Sequence, residues 1–519
     1  MHFTKLGKML LINKKAVINQ LKGNQKYALQ NFDEIEGISS NLGDILTSAK
    51  IAFNKAGSYF LVDDYELSLQ SYQKAEESYK ILDDNVGIGK CYNGLSAVYS
   101  ALGEYSIAER YITLTEQIFK NSTNKMMYQG VLYKHASISF MKGDYEECLR
   151  ITNMFANAEK SILHFEAKFL ELTAIFEQQR LFDKISFEEL LELAESLDYK
   201  IGKANLLLES AKVLALSGNI KFSQTKLDLS YSCFQQIGNY RGIIRSLLVN
   251  AYIEVLQGKL EEAENYCDTA LTQAKNSNLF LEEIEASILL ANIYLLQNFI
   301  KRANYLLEKA IYSLEVRKLR NSLYLRALSF KCTLIKPTAS ILNQDLINFI
   351  KLSKNSGCKY WIDYSRILEA EEYVNSYNYT TALLIVKDVI ATALNYEIKF
   401  QAKRIELKGL LGILRNYLKD ENNPNETIQL ENEIEVKIQL VLTDVLASDL
   451  QQHIIETKLV ELSYLLLMGK NKEVNVKTDE LNKLITKNNL NYYLLELKKL
   501  GENTIEGPLS VIVNSLIYV

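Results

Sequence analysis

The segment Tyr92–Phe119 holds two short stripes of apolar residues at helical spacing. The first stripe is Leu95, Val98, Tyr99 and Leu102, and the second is Ile107, Ala108, Tyr111, Ile112 and Leu114. A short turn, Gly103-Glu104-Tyr105, separates them, and glycine there supplies the backbone freedom that ends a helix. The pattern predicts a helical hairpin in which the small Ala108 lets the second helix lie close against the first.

The same pattern recurs along the chain at an interval of 40 residues. Small residues at the position of Ala108 are Ala28, Ser68, Ala108 and Cys148, then Ser223, Ala263 and Ala303, with a last copy near Ala382. Glycine five positions earlier recurs as Gly23, Gly103, Gly143, Gly218 and Gly258, and tyrosine nine positions earlier as Tyr59, Tyr99, Tyr294 and Tyr373. Because one hairpin cannot bury its apolar face alone, the repeats are expected to stack into a solenoid.

These residues resemble the tetratricopeptide (TPR) repeat family. Leu95-Ser96, Tyr99, Gly103, Tyr105 and Ala108 follow that pattern in the best repeat. The early Trp and the closing Pro of the family are missing, and the period is 40 where the standard repeat has 34. This length is similar to the longer-helix branch found in MalT-like regulators, Rap-type receptors, and the Pins and kinesin light chain families. The resemblance implies an all-α protein, a right-handed superhelical α-solenoid of about twelve TPR-like hairpins.

The strength of the pattern divides the chain into six parts. We expect an N-terminal capping hairpin at 1–40, clear TPR repeats at 41–160, and repeats at 161–318 of which the first is degenerate. Hairpins of the same kind follow at 319–400, degenerate C-terminal helices at 401–507, and an apolar tail at 508–519. The polar stretch 419–427 is a candidate loop or boundary. The tail either docks on the last hairpin as a cap or pairs with another chain, which makes it a candidate for self-association.

Composition narrows the classes of partner. Only 3 prolines occur among 519 residues, which suits an almost wholly helical chain. With 59 basic and 63 acidic residues the net charge is -4, so we expect neither direct nucleic-acid binding nor membrane insertion. The 6 cysteines have irregular spacing, and we interpret them as reduced thiols of a cytoplasmic protein.

The residues give little sign of catalysis. His2, His135, His164 and His453 are far apart, and none has a partner at metal-ligand spacing. The pair Gly357-Cys358 resembles the Gly-Cys of caspase-like proteases, a reading we disfavour because that fold needs strands and a nearby upstream His. We therefore expect no catalytic residue, no metal, no cofactor and no enzymatic activity.

Binding is the more promising reading. In the family, the first helix of each hairpin lines a concave groove, and the resemblance places ten polar residues there. These candidate peptide-binding residues are Lys50, Asn54, Lys90, Asn93, Tyr133, Lys134, Asn205, Arg245, Tyr252 and Asn292. Asn can donate to and accept from a peptide backbone, and Lys or Arg can bind a carboxylate.

A carboxylate clamp for chaperone C-termini is a sharper possibility that the sequence does not favour. Asn54 and Lys90 match two of its positions, whereas Asn13, Val17 and Gly94 stand at the other three. We therefore expect no tight binding of chaperone tails.

Two functional hypotheses remain. The first is a non-enzymatic scaffold that binds a protein or peptide partner in the concave groove. The second is a regulatory sensor, similar to the Rap-type and MalT-like proteins, in which a ligand changes the curvature of the superhelix and thereby controls a partner. A caspase-like protease is only a remote alternative.

Overall fold

A computed structural model describes residues 5–21, 25–42, 44–120, 125–156, 159–179, 183–277, 279–334, 343–419, 424–448 and 450–502. Within these ranges the chain forms α-helices and one 3-10 turn, Asn153–Phe155, and no strand. The helices are α1 Lys5–Leu21, α2 Gln25–Leu42, α3 Ile45–Leu61, α4 Tyr65–Ile81, α5 Asn85–Leu102, α6 Tyr105–Phe119, α7 Lys125–Lys142, α8 Tyr145–Thr152, α9 Ile162–Gln179, α10 Lys184–Ser196, α11 Lys200–Leu216, α12 Ile220–Ile237, α13 Tyr240–Leu256, α14 Leu260–Asn276, α15 Phe280–Leu296, α16 Ile300–Val316, α17 Ser322–Leu334, α18 Gln344–Ser356, α19 Lys359–Asn375, α20 Tyr379–Thr392, α21 Tyr396–Tyr417, α22 Pro424–Ser448, α23 Gln451–Leu467, α24 Asn471–Lys487 and α25 Tyr492–Glu502.

The helices pack as consecutive antiparallel pairs, from α1/α2 to α23/α24, and α25 follows the twelfth pair. The small residue predicted at each helix crossing is fully buried, as Ala108, Cys148 and Ala263 show. Where the crossing residue is serine, its hydroxyl donates to a carbonyl of the first helix, as Ser223 Oγ does to Ala211 O at 2.6 Å. The predicted all-α solenoid of helical hairpins is confirmed.

Side chains and left-handed turns fix the ends of the helices. Asp84 caps α5 by accepting a hydrogen bond from Gly87 N at 2.9 Å. At the other end, Gly103 adopts φ 84°, and its N–H donates to Ser100 O, which closes the helix. Asp64 and Asp144 cap α4 and α8 in the same way.

The first helix of each pair is inside the solenoid and the second is outside. In α14, an outer helix, only the stripe Ala263, Cys267, Ala270 and Ala274 is buried. In α13, an inner helix, burial extends around the whole circumference, and only Tyr240, Arg241 and Arg245 are exposed. Helix α13 is largely covered because it contacts its partner, the neighbouring pairs and, as described next, another part of the superhelix.

Successive superhelical turns of the chain lie directly on each other. Tyr105 Oη is hydrogen-bonded to Ser322 Oγ at 3.1 Å, and Cys358 Sγ donates to Met141 O at 3.2 Å; each pair is 217 residues apart. Asn395 Nδ2 donates to Glu177 Oε2 at 3.0 Å across 218 residues. One turn thus takes 217 residues, roughly five and a half hairpins. We call α1–α12 the first turn and α13–α24 the second turn.

The glycines between paired helices end the first helix of each pair, and they also allow successive superhelical turns to approach closely. A Cβ added at Gly103 would lie 2.6 Å from Arg320 O, and one at Gly143 would lie 3.1 Å from Tyr360 N. Asn298 and Tyr377, at the equivalent turn of second-turn pairs, have positive φ but retain a side chain. Asp63, between α3 and α4, also has a positive φ. Its carboxylate accepts a hydrogen bond from Tyr65 Oη at 2.9 Å.

Some predicted boundaries differ from the observed elements. The 400/401 boundary lies inside α21, which runs continuously from Tyr396 to Tyr417. The polar stretch 419–427 is only partly a loop, because α22 begins at Pro424, where a fixed φ suits the first helical position. Gly23 and the tail 508–519 lie outside the described residues.

Substitution of Gly103 tests the contact between successive superhelical turns, with Gly238 as the matched control. Both glycines have positive φ, but a Cβ at Gly238 meets nothing within 4 Å. We expect Gly238→Ala to cost about 1 kcal/mol for the left-handed conformation alone, and Gly103→Ala to cost about 1–3 kcal/mol more because the two turns must separate. Urea unfolding followed by circular dichroism measures both; equal losses would contradict the stacking.

Candidate binding surface

The inner face of the second turn is filled by its own polar side chains. Arg404 Nη1 donates to Glu456 Oε2 at 2.8 Å, and Tyr493 Oη donates to Glu456 Oε1 at 2.7 Å. His453 Nε2 lies 2.9 Å from Glu397 Oε2. All five side chains are buried, and burial, with Glu456 beside it, raises the pKa of Tyr493 well above its usual value. These groups bond to each other, while Arg404 Nε and His453 Nδ1 are buried without a partner among the described residues, and the packed side chains leave little inner surface for a ligand there.

Further polar contacts join this face to the first turn. Asn395 Nδ2 donates to Tyr145 Oη at 3.2 Å, in addition to its bond with Glu177. Within the second turn, Tyr252 Oη on α13 donates to Gln452 Oε1 on α23 at 3.4 Å across 200 residues. Residues at or just before the starts of α17, α19 and α21 therefore contact first-turn pairs.

This arrangement corrects two of the ten predicted groove residues. Tyr252 is buried at the contact with Gln452, and Asn292 is fully buried on α15. Neither can contact a ligand in this structure. The register that placed Tyr252 was derived from single hairpins, and it did not include its contact with Gln452, 200 residues away.

The other eight predicted residues retain accessible surface. Lys50, Lys90 and Arg245 are exposed, and the remaining five are half-buried: Asn54, Asn93, Tyr133, Lys134 and Asn205. Seven of the eight belong to the first turn, on α3, α5, α7 and α11; Arg245 is on α13. Tyr133 is already engaged, since its hydroxyl donates to Glu166 Oε2 at 3.2 Å, and Glu166 also accepts from Tyr199.

Two of these side chains have polar groups that the protein does not satisfy. Asn93 Oδ1 is buried and has no hydrogen-bond partner among the described residues. Lys134 forms no hydrogen bond or ion pair with any residue in the described ranges, and burial lowers the pKa of its ammonium group. They occupy nearly equivalent positions on the successive inner helices α5 and α7. An unsatisfied acceptor and a desolvated cation both gain from a ligand that bonds to them.

Sequence reasoning missed an apolar ring at the mouth of the first turn. Five apolar side chains, each at the first or second position of an inner helix, are 37% to 77% exposed. We call them the mouth ring: Leu46, Val86, Met126, Ile162 and Ile201. Four residues further along the same helices, and so on the same face, are Lys50, Lys90, Gly130, Glu166 and Asn205. The interval of 40 between Leu46, Val86 and Met126 carried this signal in the sequence.

The second turn shows why the mouth ring is unusual. The equivalent positions of α21 and α23, and of α25 directly after the second turn, hold Glu397, Gln452 and Tyr493, which are buried. Their neighbours include groups of other helix pairs, as the bonds of Gln452 and Tyr493 show. At these three helix starts, positions that are apolar and open in the mouth ring are polar and covered.

Thiols and histidines in the described ranges have structural surroundings. Burial raises the pKa of the Cys358 thiol to about 11, the direction opposite to that of an activated nucleophile. No group of three or more His, Cys, Asp or Glu in the described part of the chain could hold a metal ion. None of the helices it contains combines the length and apolar character needed to cross a bilayer.

The paired helices, with their buried small residues and glycine turns, make this chain an α-solenoid of tetratricopeptide-like hairpins.

No protein-family model matches the sequence, and no curated protein matches it. Several solved structures align with it at low identity. The apo form of RapI is 14% identical over 52% of this chain and 99% of that one, with a TM-score of 0.43. The apo quorum sensor NprR from B. thuringiensis is 15% identical over 52% and 77%, with a TM-score of 0.44. Yeast Tom70 is 13% identical over 82% and 100%, with a TM-score of 0.40.

The contrast between the two inner faces predicts opposite effects of removing a positive charge. Arg404→Met leaves Glu456 buried without its cation, which should cost about 3–5 kcal/mol of unfolding free energy. Lys134→Met removes a desolvated charge that has no partner, and should leave stability equal or slightly higher. Thermal and urea unfolding of the two variants check this. A marked loss of stability in Lys134→Met, or none in Arg404→Met, would contradict the assignment of filled and open faces.

Proposed function

We propose that the inner face of the first turn binds a segment of a partner protein, or a peptide, that combines apolar side chains with acidic groups. The observation that carries this proposal is the mouth ring, five exposed apolar side chains at one register of successive inner helices. A contiguous exposed apolar surface of this kind is typical of an interaction site.

The size of the surface favours a chain segment over a small molecule. Neighbouring packed helices lie roughly 8–10 Å apart, so five inner helices place the ring along an arc of roughly 40 Å. An extended segment of roughly twelve residues has that length. Its alternate side chains could contact the ring while the others point along the helices toward Lys50 and Lys90.

The charges beside the ring indicate the chemistry of the segment. Lys50, Lys90 and Lys134 form no ion pair with described residues, whereas the one carboxylate at the same register, Glu166, accepts hydrogen bonds from two tyrosines. A ligand carboxylate can therefore pair with these lysines without displacing an existing bond. Because Lys50 and Lys90 are exposed, this part of the affinity should weaken as ionic strength rises.

A regulatory sensor is the second candidate function, and one feature favours it. Helix α7 carries Lys134 near its middle and, one residue before its end, Met141, whose carbonyl accepts the bond from Cys358 of the second turn. A ligand that moved α7 would therefore act directly on a turn-on-turn contact. A change in the radius of gyration on adding a bound peptide, measured by small-angle X-ray scattering, would favour a sensor over a rigid scaffold.

The binding proposal is tested by selection and then by matched variants. A display library of random dodecapeptides is selected on the immobilised protein, and an enriched peptide is labelled for fluorescence anisotropy. We expect enriched sequences to contain apolar and acidic residues. We also expect Val86→Asp with Met126→Asp to weaken binding at least about tenfold, because two ring contacts are lost and like charges repel.

The control replaces two equally exposed apolar residues on outer helices, Ile185→Asp with Phe222→Asp, and should bind like the wild type. Lys134→Met should weaken binding and reduce its salt dependence. The proposal is wrong if no peptide is enriched, or if the ring variant binds as tightly as the control.

A further inference from the structure

Gly130, in the first half of the inner helix α7, is a helical glycine that packing within the protein does not explain. A Cβ added there would meet nothing within 4 Å among the described residues. By contrast, a Cβ at Gly94 of the inner helix α5 would collide with the ring of Tyr72. Other inner-helix glycines that lie against an aromatic ring are Gly87, Gly202 and Gly242. Because glycine inside a helix is destabilising relative to alanine, the open space beside Gly130 has a cost in stability that no contact within the described residues offsets.

The open space belongs to the inner surface of the first turn. Gly130 is four residues after Met126 of the mouth ring and four residues before Lys134, so the three positions lie one above another on α7. On α3 and α5 the positions equivalent to Gly130 hold Lys50 and Lys90, whose long side chains are exposed. The row of side chains is therefore interrupted at Gly130. We call this gap, between Met126 and Lys134, the α7 notch.

The two side chains that border the α7 notch indicate what kind of group fits it. Lys134 forms no hydrogen bond or ion pair with described residues, and burial lowers the pKa of its ammonium group. The face of an aromatic ring attracts a cation, and does so more strongly where water is excluded. Met126 is 77% exposed, and a thioether makes favourable contacts with aromatic rings. An aliphatic side chain would gain the apolar contact with Met126 but would leave the lysine without a partner.

We infer that the α7 notch holds an aromatic side chain of the bound segment, between Met126 and Lys134, and that Gly130 is the position that selects it. This inference rests on the binding function proposed above and adds the identity of one ligand side chain. Lys50 and Lys90, on the neighbouring inner helices, then remain for the acidic groups of the ligand. The aromatic residue fixes the position of the segment along the mouth ring, because the described part of α3 and α5 has a lysine where α7 has the gap.

Filling the notch tests this inference with a variant that should fold at least as well as the wild type. Gly130→Leu is compared with Gly37→Leu, at an exposed glycine of the outer helix α2 where an added Cβ also meets nothing within 4 Å. Both variants should unfold at a higher urea concentration, because leucine is a better helix former than glycine. We expect Gly130→Leu to weaken binding of a dodecapeptide selected on the wild type at least about tenfold in fluorescence anisotropy, and Gly37→Leu to leave it unchanged.

A double-mutant cycle identifies the ligand group that enters the notch. Replacing the aromatic residue of the selected peptide by alanine should weaken its binding to the wild type at least about tenfold. The same replacement should change binding to Gly130→Leu by at most about twofold, because the notch is already filled. The inference is overturned if the selected peptides carry no aromatic residue, if Gly130→Leu binds as tightly as Gly37→Leu, or if the two losses are additive.

These measurements separate the inference from the binding function on which it rests. If Val86→Asp with Met126→Asp weakens binding while Gly130→Leu does not, the mouth ring remains a binding surface and the notch is not part of it. If no peptide is enriched on the wild type, both the binding function and the notch are wrong.

Discussion

The close approach of successive superhelical turns is the constraint on which the rest of this structure depends. Helix pairs that contacted only their neighbours would form an open superhelix, as in other repeat proteins. Here the loops at Gly103 and Gly143 bring one superhelical turn against the helix starts of the next. No space remains there for an added side chain. The hydrogen bonds Tyr105–Ser322 and Asn395–Glu177 then fix the period at 217 to 218 residues. Stability in this chain therefore includes contacts between units far apart in sequence.

This constraint divides the inner surface into two parts with different chemistry. In the second turn, the starts of α21 and α23 are packed against other helix pairs, and their polar groups Glu397 and Gln452 are buried and bonded. In the first turn the same positions are apolar and open, as Val86 and Met126 are. A repeat that is regular in its core thus presents different inner surfaces along its axis. The asymmetry places the proposed binding surface at the end of the superhelix, where the mouth ring adjoins the unsatisfied groups of Asn93 and Lys134.

The sequence predicts what is decided within one hairpin and fails where distant hairpins meet. The buried crossing residues Ala108 and Ala263, and the turns at Gly218 and Gly258, follow from a local pattern that repeats, so they could be predicted. The burial of Tyr252 against Gln452 could not, because it depends on the small rotation from one hairpin to the next, which is added over five hairpins before the chain meets itself. The mouth ring was overlooked for a related reason. An apolar residue at helical spacing is usually part of a core, whereas Met126 is 77% exposed at the start of α7.

Zero-length cross-linking measures the stacking most directly. Lys318 Nζ lies 3.0 Å from Glu66 Oε2, both side chains are exposed, and the two residues are 252 positions apart. Carbodiimide treatment of dilute monomer should join these two residues by an amide bond, detectable by mass spectrometry after proteolysis, and Gly103→Ala should reduce its yield. Absence of the Lys318–Glu66 product from the wild-type monomer, while neighbouring pairs such as Lys142–Glu109 react, would contradict a superhelix whose turns are in contact.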